Sequence, residues 1–233
     1  MGGINPSFST YAPRYDAWYE TPMGRVLLAT ELACLRPLLH PFPRPYLEVG
    51  VGSGRFAEAL GIEYGVDPSA GALEGSARRR IRVVLGVGES LPFADARFGA
   101  VLLAFTLCFV RDPSMVIREI HRVLSPGGGV ILGVLLKGTP WADFYAERGR
   151  QGDPFFSTAH FYSREEVETV LRRGSLYVMA SRSALFQPPG REAYREEKPV
   201  AGCVPGAGFV AFAAVKPDVR GRQSEVACGI GGP

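Results

Sequence analysis

The sequence predicts an α/β protein: a doubly wound, Rossmann-like, mostly parallel seven-stranded sheet with helices on both faces and an antiparallel last strand. Three observations predict it. Short apolar runs alternate with helix-period segments from residue 46 to residue 173, the pattern of a parallel sheet with crossover helices. The first apolar run ends in a glycine-rich turn, Gly50-Val51-Gly52-Ser53-Gly54. The last two runs, residues 175–183 and 209–215, have no helix between them and so should pair antiparallel.

Each element has its own reason. From residue 14 the pattern is helical, and Val26, Leu27, Thr30, Leu32, Ala33, Leu35 and Leu38 form one broad apolar stripe. Pro41, Pro43 and Pro45 cannot continue a helix, so they form a rigid spacer. Residues 46–49 read as the first strand, followed by the glycine turn and a short helix at 55–60. Residues 64–66 are the second strand, 69–79 a helix, and 81–85 the third strand. Residues 100–105 form an almost unbroken apolar run, as a central strand covered on both faces requires. Asp112 and Pro113 open a helix over 112–124 as N-cap and first-turn proline, and Ser125-Pro126-Gly127 stops it. Residues 130–136 are the fifth strand. Ser163 and Glu166 form a capping box that opens a helix over 163–173. Three regions follow: 1–44, an N-terminal helical cap and linker; 45–216, the sheet core; and 217–233, a polar, Gly-rich tail read as disordered.

Composition narrows the partners. Hydrophobic residues make up 46% of the 233, enough to cover both faces of a sheet. Lys and Arg outnumber Asp and Glu by 26 to 23, a net charge of +3 that is too mild to imply nucleic acid or a membrane surface. Cys34, Cys108, Cys203 and Cys228 share no Cys-x-x-Cys spacing, so no metal site is expected and free thiols in a cytoplasmic protein are. No apolar run approaches the ~18 residues that span a bilayer, and residues 1–13 lack a secretory pattern.

Sheets of this kind bind ligands beyond the carboxyl ends of their strands. There the glycine turn reads G-x-G-x-G, with Glu48 two places before Gly50. A dinucleotide fingerprint beginning at Gly50 needs glycine at position 55, and Arg55 occupies it. The pattern favours S-adenosylmethionine (SAM) over NAD or FAD. SAM has no diphosphate for a helix N-terminus to cradle, and it carries an ammonium, a sulfonium and a carboxylate instead. Glu48 suits the positive end, and the N–H groups of Gly50, Val51 and Gly52 suit the carboxylate. Asp67 closes the second strand and can accept hydrogen bonds from both ribose hydroxyls, with Pro68 beside it. Asp67 also fits a helix-capping role, which is compatible with the first. Gly88, Glu89 and Ser90 follow the third strand, where the N–H of Glu89 or Ser90 and the Glu89 side chain can meet an adenine. Phe105 ends the fourth strand beside the same place.

These motifs resemble the class I SAM-dependent methyltransferases, in particular the small-molecule group that includes the ubiquinone/menaquinone methyltransferases. Leu47 to Gly54 is similar to that family's first motif. Gly65-Val66-Asp67-Pro68-Ser69 resembles its second, and Gly88-Glu89-Ser90-Leu91-Pro92-Phe93 its third. Arg118 to Gly128 is similar to its helix and turn before the fifth strand. Tyr15-Asp16-Ala17-Trp18-Tyr19 and the segment Phe155 to Ser163 resemble a thermophile subgroup without assigned substrates, in which the first segment packs over the cofactor. The chain departs from the family at Val87, where many relatives carry Asp, leaving adenine recognition to Glu89 or to backbone carbonyls. The stretch from Gly54 to the second strand is also short, with room for about two helical turns.

The resemblance implies methyl transfer to a small-molecule acceptor by in-line displacement, with S-adenosylhomocysteine (SAH) as product and a monomer or homodimer as the assembly. Such chemistry needs a positioned nucleophile and excluded water more than a catalytic triad. His160 is the base candidate by residue type, and a structural histidine is the competing reading. Tyr15, Trp18 and Tyr19 can form an aromatic lid, with Phe109 and Tyr162 on the acceptor side; alternatively the aromatics simply pack the helix. Cys108 reads as a packed thiol. Arg78-Arg79-Arg80-Ile81-Arg82 reads as a solvated face at a helix C-terminus rather than an RNA patch. An RNA or protein methyltransferase on the same core, or a SAM-binding protein without catalysis, are the alternatives.

Overall fold

The computed structural model describes residues 16–218. Tyr15 and the tail from residue 219 therefore lie outside the described residues. Helix α1 (Pro22–Leu39) starts where Thr21 accepts the Gly24 N–H through its side chain and Pro22 pre-sets the first turn. It runs through Pro37 in its last turns. Strand β1 (Tyr46–Val49), helix α2 (Arg55–Leu60), strand β2 (Tyr64–Asp67), helix α3 (Ala70–Arg78) and strand β3 (Arg82–Leu85) follow. Then come β4 (Phe98–Ala104), α4 (Pro113–Val123) and β5 (Leu124–Val134). The chain continues with α5 (Pro140–Arg150), α6 (Arg164–Arg173), β6 (Tyr177–Ala184), β7 (Val200–Ala201) and β8 (Phe209–Val215).

The sheet order is β3-β2-β1-β4-β5-β8-β6-β7. The first five strands are parallel, and β8 runs antiparallel to both β5 and β6. The expected antiparallel pairing of the two late strands is present. The strand count is eight rather than seven, because β7 adds two residues to the far edge opposite Arg182 and Ser183. Two residues are too few to show a period-2 pattern in the sequence. Strand β5 also begins six residues earlier than position 130, because α4 passes into it at Leu124 without a loop.

Every residue of β4 is buried, consistent with its central place. One face packs against α1 and α2, through Leu35, Leu39, Ala57 and Leu60. The other packs against α4 and α6, through Val116, Ile117, Ile120, Val167 and Leu171. Fully buried side chains of this size contribute about 1.5–3 kcal/mol each. Asp112 caps α4, and the Ser163–Glu166 capping box opens α6, both as anticipated. Helix α5 is an addition to the sequence reading. Its start carries a familiar signal, Thr139 accepting the Ala142 N–H with Pro140 in the first turn.

Candidate active site at the carboxyl ends of the strands

The carboxyl ends of β1, β2 and β4 open into one cavity of about 1230 Å³. Its wall contains Glu48, Gly50, Val51, Gly52, Asp67, Pro68, Gly88, Glu89 and Phe105, together with Trp18, Tyr19, Phe109, His160 and Tyr162. The structure therefore gathers nearly all the sequence-derived candidates at one place. Ser90 is the exception. It is exposed, and its N–H donates to the Val87 carbonyl at 3.2 Å, closing a tight turn outside the wall.

The glycine turn folds back on β2. Gly50 and Val51 donate their N–H groups to Val66 O at 2.8 and 3.1 Å, and Gly54 donates to Val51 O at 2.8 Å. Gly52 donates to Asp67 Oδ2 at 2.9 Å. These donors are thus committed within the protein, contrary to the expectation that Gly50, Val51 and Gly52 present theirs to a ligand carboxylate. What the turn offers is shape. Gly50 has φ +74°, and a Cβ there would collide with the Thr106 side chain. Gly52 has φ +52°, with open space where a Cβ would stand.

Two acids flank this cradle. Asp67 is buried, its Oδ1 accepting the Ser69 N–H at 2.8 Å while Oδ2 holds Gly52. Ser69, not Asp67, is the N-cap of α3. Burial pushes the Asp67 carboxyl above its ordinary range, against the pull of its two N–H partners. Glu48 is 2% exposed, and its Oε2 has no hydrogen-bond partner among the described residues. Burial drives its carboxyl well above the usual range; the Ala57 N–H opposes this and the Asp67 charge adds to it. A buried, unsatisfied carboxylate oxygen is costly on its own, and a cationic ligand relieves the cost.

The third loop contributes Val87, Gly88 and Glu89 to the wall. Glu89 Oε1 accepts the Arg111 N–H at 2.9 Å, so this carboxylate ties the loop to the segment before α4. Phe105 holds φ +56°, a conformation that costs a non-glycine residue about 1–3 kcal/mol. It is held there by its N–H to Gly133 O at 2.8 Å and by rings of Phe56 and Phe209 within 5.9 and 5.1 Å. Cys108 is a packed thiol whose Sγ lies 3.2 Å from Phe105 O, and burial pushes it up to about 12. At neutral pH it is a thiol and not a nucleophilic thiolate.

An N-terminal segment, residues 16–20, closes one side. Arg55 Nε reaches Asp16 at 2.6 Å and Arg55 Nη1 reaches Glu20 at 2.7 Å, while the guanidinium lies over the Tyr19 ring. Ser53 donates its hydroxyl to Asp16 at 2.5 Å. Burial raises the Asp16 carboxyl, but hydrogen bonds from Arg55 and Ser53 and the Arg55 charge outweigh it, and its pKa is lowered. Arg79 joins the network through Glu58 at 2.9 Å and Ser53 O at 2.9 Å. The arginine run is therefore not a wholly solvated face: Arg79 pins the glycine turn. Sequence spacing could not show this, because the partners lie 21 and 26 residues away.

Beyond the cradle the wall becomes aromatic. Trp141 lies 5.5 Å from Tyr194, and Tyr145 stacks on Phe156 at 4.3 Å. His160 is exposed at the rim, 4.5 Å from the Tyr162 ring, with its N–H donating to Cys108 O at 2.8 Å. Glu31 also lines the cavity, and sequence reading passed over it. Its signal was an acid inside the apolar stripe of α1, one turn from both Leu27 and Leu35.

The parallel strand order, the antiparallel β8 and the acids closing β1 and β2 define a class I methyltransferase fold. The comparisons agree. A family described as a methyltransferase domain matches residues 47–132. The solved structure of a SAM-dependent methyltransferase from Thermotoga maritima, described as a possible histamine N-methyltransferase, is 30% identical, with a TM-score of 0.82 over 90% of this chain and 97% of its own. An uncharacterised protein of Mycobacterium tuberculosis is 51% identical over 88% of this chain and 72% of its own length. A demethylmenaquinone methyltransferase of Roseiflexus is 27% identical over 81% and 80%. The chain belongs to the SAM-dependent methyltransferases. Its methyl donor is SAM, which leaves as SAH. No helix among the described residues is long and apolar enough to cross a membrane.

Proposed function

We propose that the protein transfers the methyl group of SAM to a small-molecule acceptor bound in the same cavity. The observation that carries this reading is the cavity itself. At about 1230 Å³ it exceeds the ~300–1,000 Å³ typical of a single-ligand pocket. It also has a polar part at β1 and β2 and an aromatic part at residues 18–19, α5 and residues 155–162. A cofactor fills the first, and the second has room for an acceptor.

The residues fit the donor. Asp67 would hold the ribose hydroxyls with the lone pairs that Gly52 and Ser69 leave. Glu48, with its unpaired Oε2, would face the ammonium. Open space at Gly52 admits close approach, and Gly88 and Glu89 would border the adenine with Pro68. SAM supplies an activated methyl carbon and a neutral thioether leaving group. The protein then has to orient the acceptor and exclude water. Trp18, Tyr19, Phe105 and Phe109 do both in this reading, and an aromatic wall stabilises a sulfonium by about 0.5–2 kcal/mol.

The test is incubation with methyl-labelled SAM and a fractionated metabolite extract. Label in a low-molecular-weight product supports the proposal. Label in RNA or protein only, or none despite tight SAH binding, overturns it.

A further inference from the structure

Glu31 is 5% exposed, lines the cavity from α1, and has an oxygen, Oε2, with no hydrogen-bond partner among the described residues. Its stripe neighbours Leu27 and Leu35 are buried and apolar. A leucine at position 31 would satisfy the packing without stranding a polar atom, so packing alone does not account for the acid. Four arginines line the wall, and none of them, Arg111 and Arg191 included, forms an ion pair with Glu31 among the described residues. Arg55 holds Asp16 and Glu20, and Arg148 holds Asp153 and lies against the Tyr145 and Phe156 rings. Nor does Glu31 duplicate Glu48. The carboxyl beside Glu48 is Asp67, whereas Glu31 bears on the Cys34 thiol one turn along α1. The cavity thus has a second buried carboxyl with an unpartnered oxygen, in a wall that also carries aromatic rings.

We infer that the methyl acceptor is an amine with an aromatic or apolar body, and that Glu31 is the carboxylate that binds its nitrogen. This rests on the proposed small-molecule methyl transfer. The apolar body lies among rings such as Trp141 and Tyr194, which also favour a neighbouring ammonium. The bound ammonium first gives one proton to the Glu31 carboxylate, which frees the nitrogen lone pair. That lone pair forms the new N–C bond while the C–S bond breaks and its electrons remain on sulfur. The products are the N-methylammonium, SAH and a neutral Glu31. Burial makes Glu31 a stronger base than an exposed glutamate, which suits it to take that proton.

The experiment is calorimetry on the wild-type protein saturated with SAH, using benzylamine, phenethylamine and tryptamine against the matched alcohols, repeated on Glu31→Gln. At least one amine should bind wild type ten times more tightly than its alcohol. In Glu31→Gln that preference should vanish, with SAH affinity unchanged. No amine preference in wild type overturns the inference whether or not the variant folds. An amine preference that survives in a folded Glu31→Gln overturns it too, as does loss of SAH affinity in that variant, which would place Glu31 at the cofactor. SAH that fails to bind wild type would instead remove the proposed function beneath it.

Discussion

At the scale of single residues the proposed chemistry rests on carboxyls that the fold holds at a cost. Asp67 accepts one backbone N–H on each oxygen, which leaves a lone pair on each for a vicinal diol. Hydrogen bonds to a charged acceptor contribute about 1.5–3 kcal/mol each. Asp67→Ala should therefore weaken SAH binding at least about tenfold by calorimetry; unchanged affinity would remove the ribose role. Glu48 behaves differently, because burial raises its pKa. The folded protein then holds a proton that the unfolded chain releases. The sign follows: stability falls as pH rises from the ordinary glutamate value of 4.5 toward the raised folded value. Glu48→Gln should flatten that fall and raise the ligand-free Tm at neutral pH by about 2–4 °C, while weakening SAH binding. A lower Tm in the variant would mean that Glu48 has a stabilising partner in the free protein. Both acids were legible in the sequence, since each closes a strand beside a recognisable turn. Glu31 was not, because nothing in a helical stripe says which cavity its one acid faces.

At the scale of elements, residues 16–20 are held to the core by polar contacts around Arg55, with Tyr19 buried beside it. The glycine turn is thus braced from outside by Asp16 and from below by Arg79. Asp16 and Glu20 are partly solvated, which discounts the energy of these pairs. Arg55→Ala should cost about 1–2 kcal/mol of stability. It should also speed amide hydrogen exchange over residues 16–21 while leaving β4 and β5 protected. Uniform exchange rates in the two proteins would show that the segment docks without Arg55. Sequence periodicity found the helices that carry capping boxes and apolar stripes, α4 and α6 among them. It missed α5, whose Thr139-Pro140 start was visible but whose body mixes aromatic, acidic and basic residues without a clear apolar face. It also misread the arginine run, because an ion pair across 21 residues leaves no local pattern.

At the scale of the molecule, the sheet order follows from alternation and handedness, which is why it was readable from one sequence. The cavity was most readable on its cofactor side, where spacing along the chain sets the motifs. On the side proposed for the acceptor, Phe109 and Tyr162 were readable, but Glu31 and Tyr194 were not, because α1 and the loop after Leu185 are brought together by the fold alone. Ligand linkage tests that division, since a ligand bound only to the folded state stabilises the whole domain. SAH at one hundred times its Kd should add about 2.7 kcal/mol. For a chain of this length that is a rise in Tm of about 5–11 °C. At the same SAH concentration Asp67→Ala, with affinity reduced tenfold, should show about half the shift of the wild type. NADH should give none, because Arg55 stands where a dinucleotide turn needs glycine and its guanidinium is tied to Asp16 and Glu20. An NADH shift as large as that of SAH would show that the cradle accepts a diphosphate after all, and the reading of Glu48 and Asp67 would have to change with it.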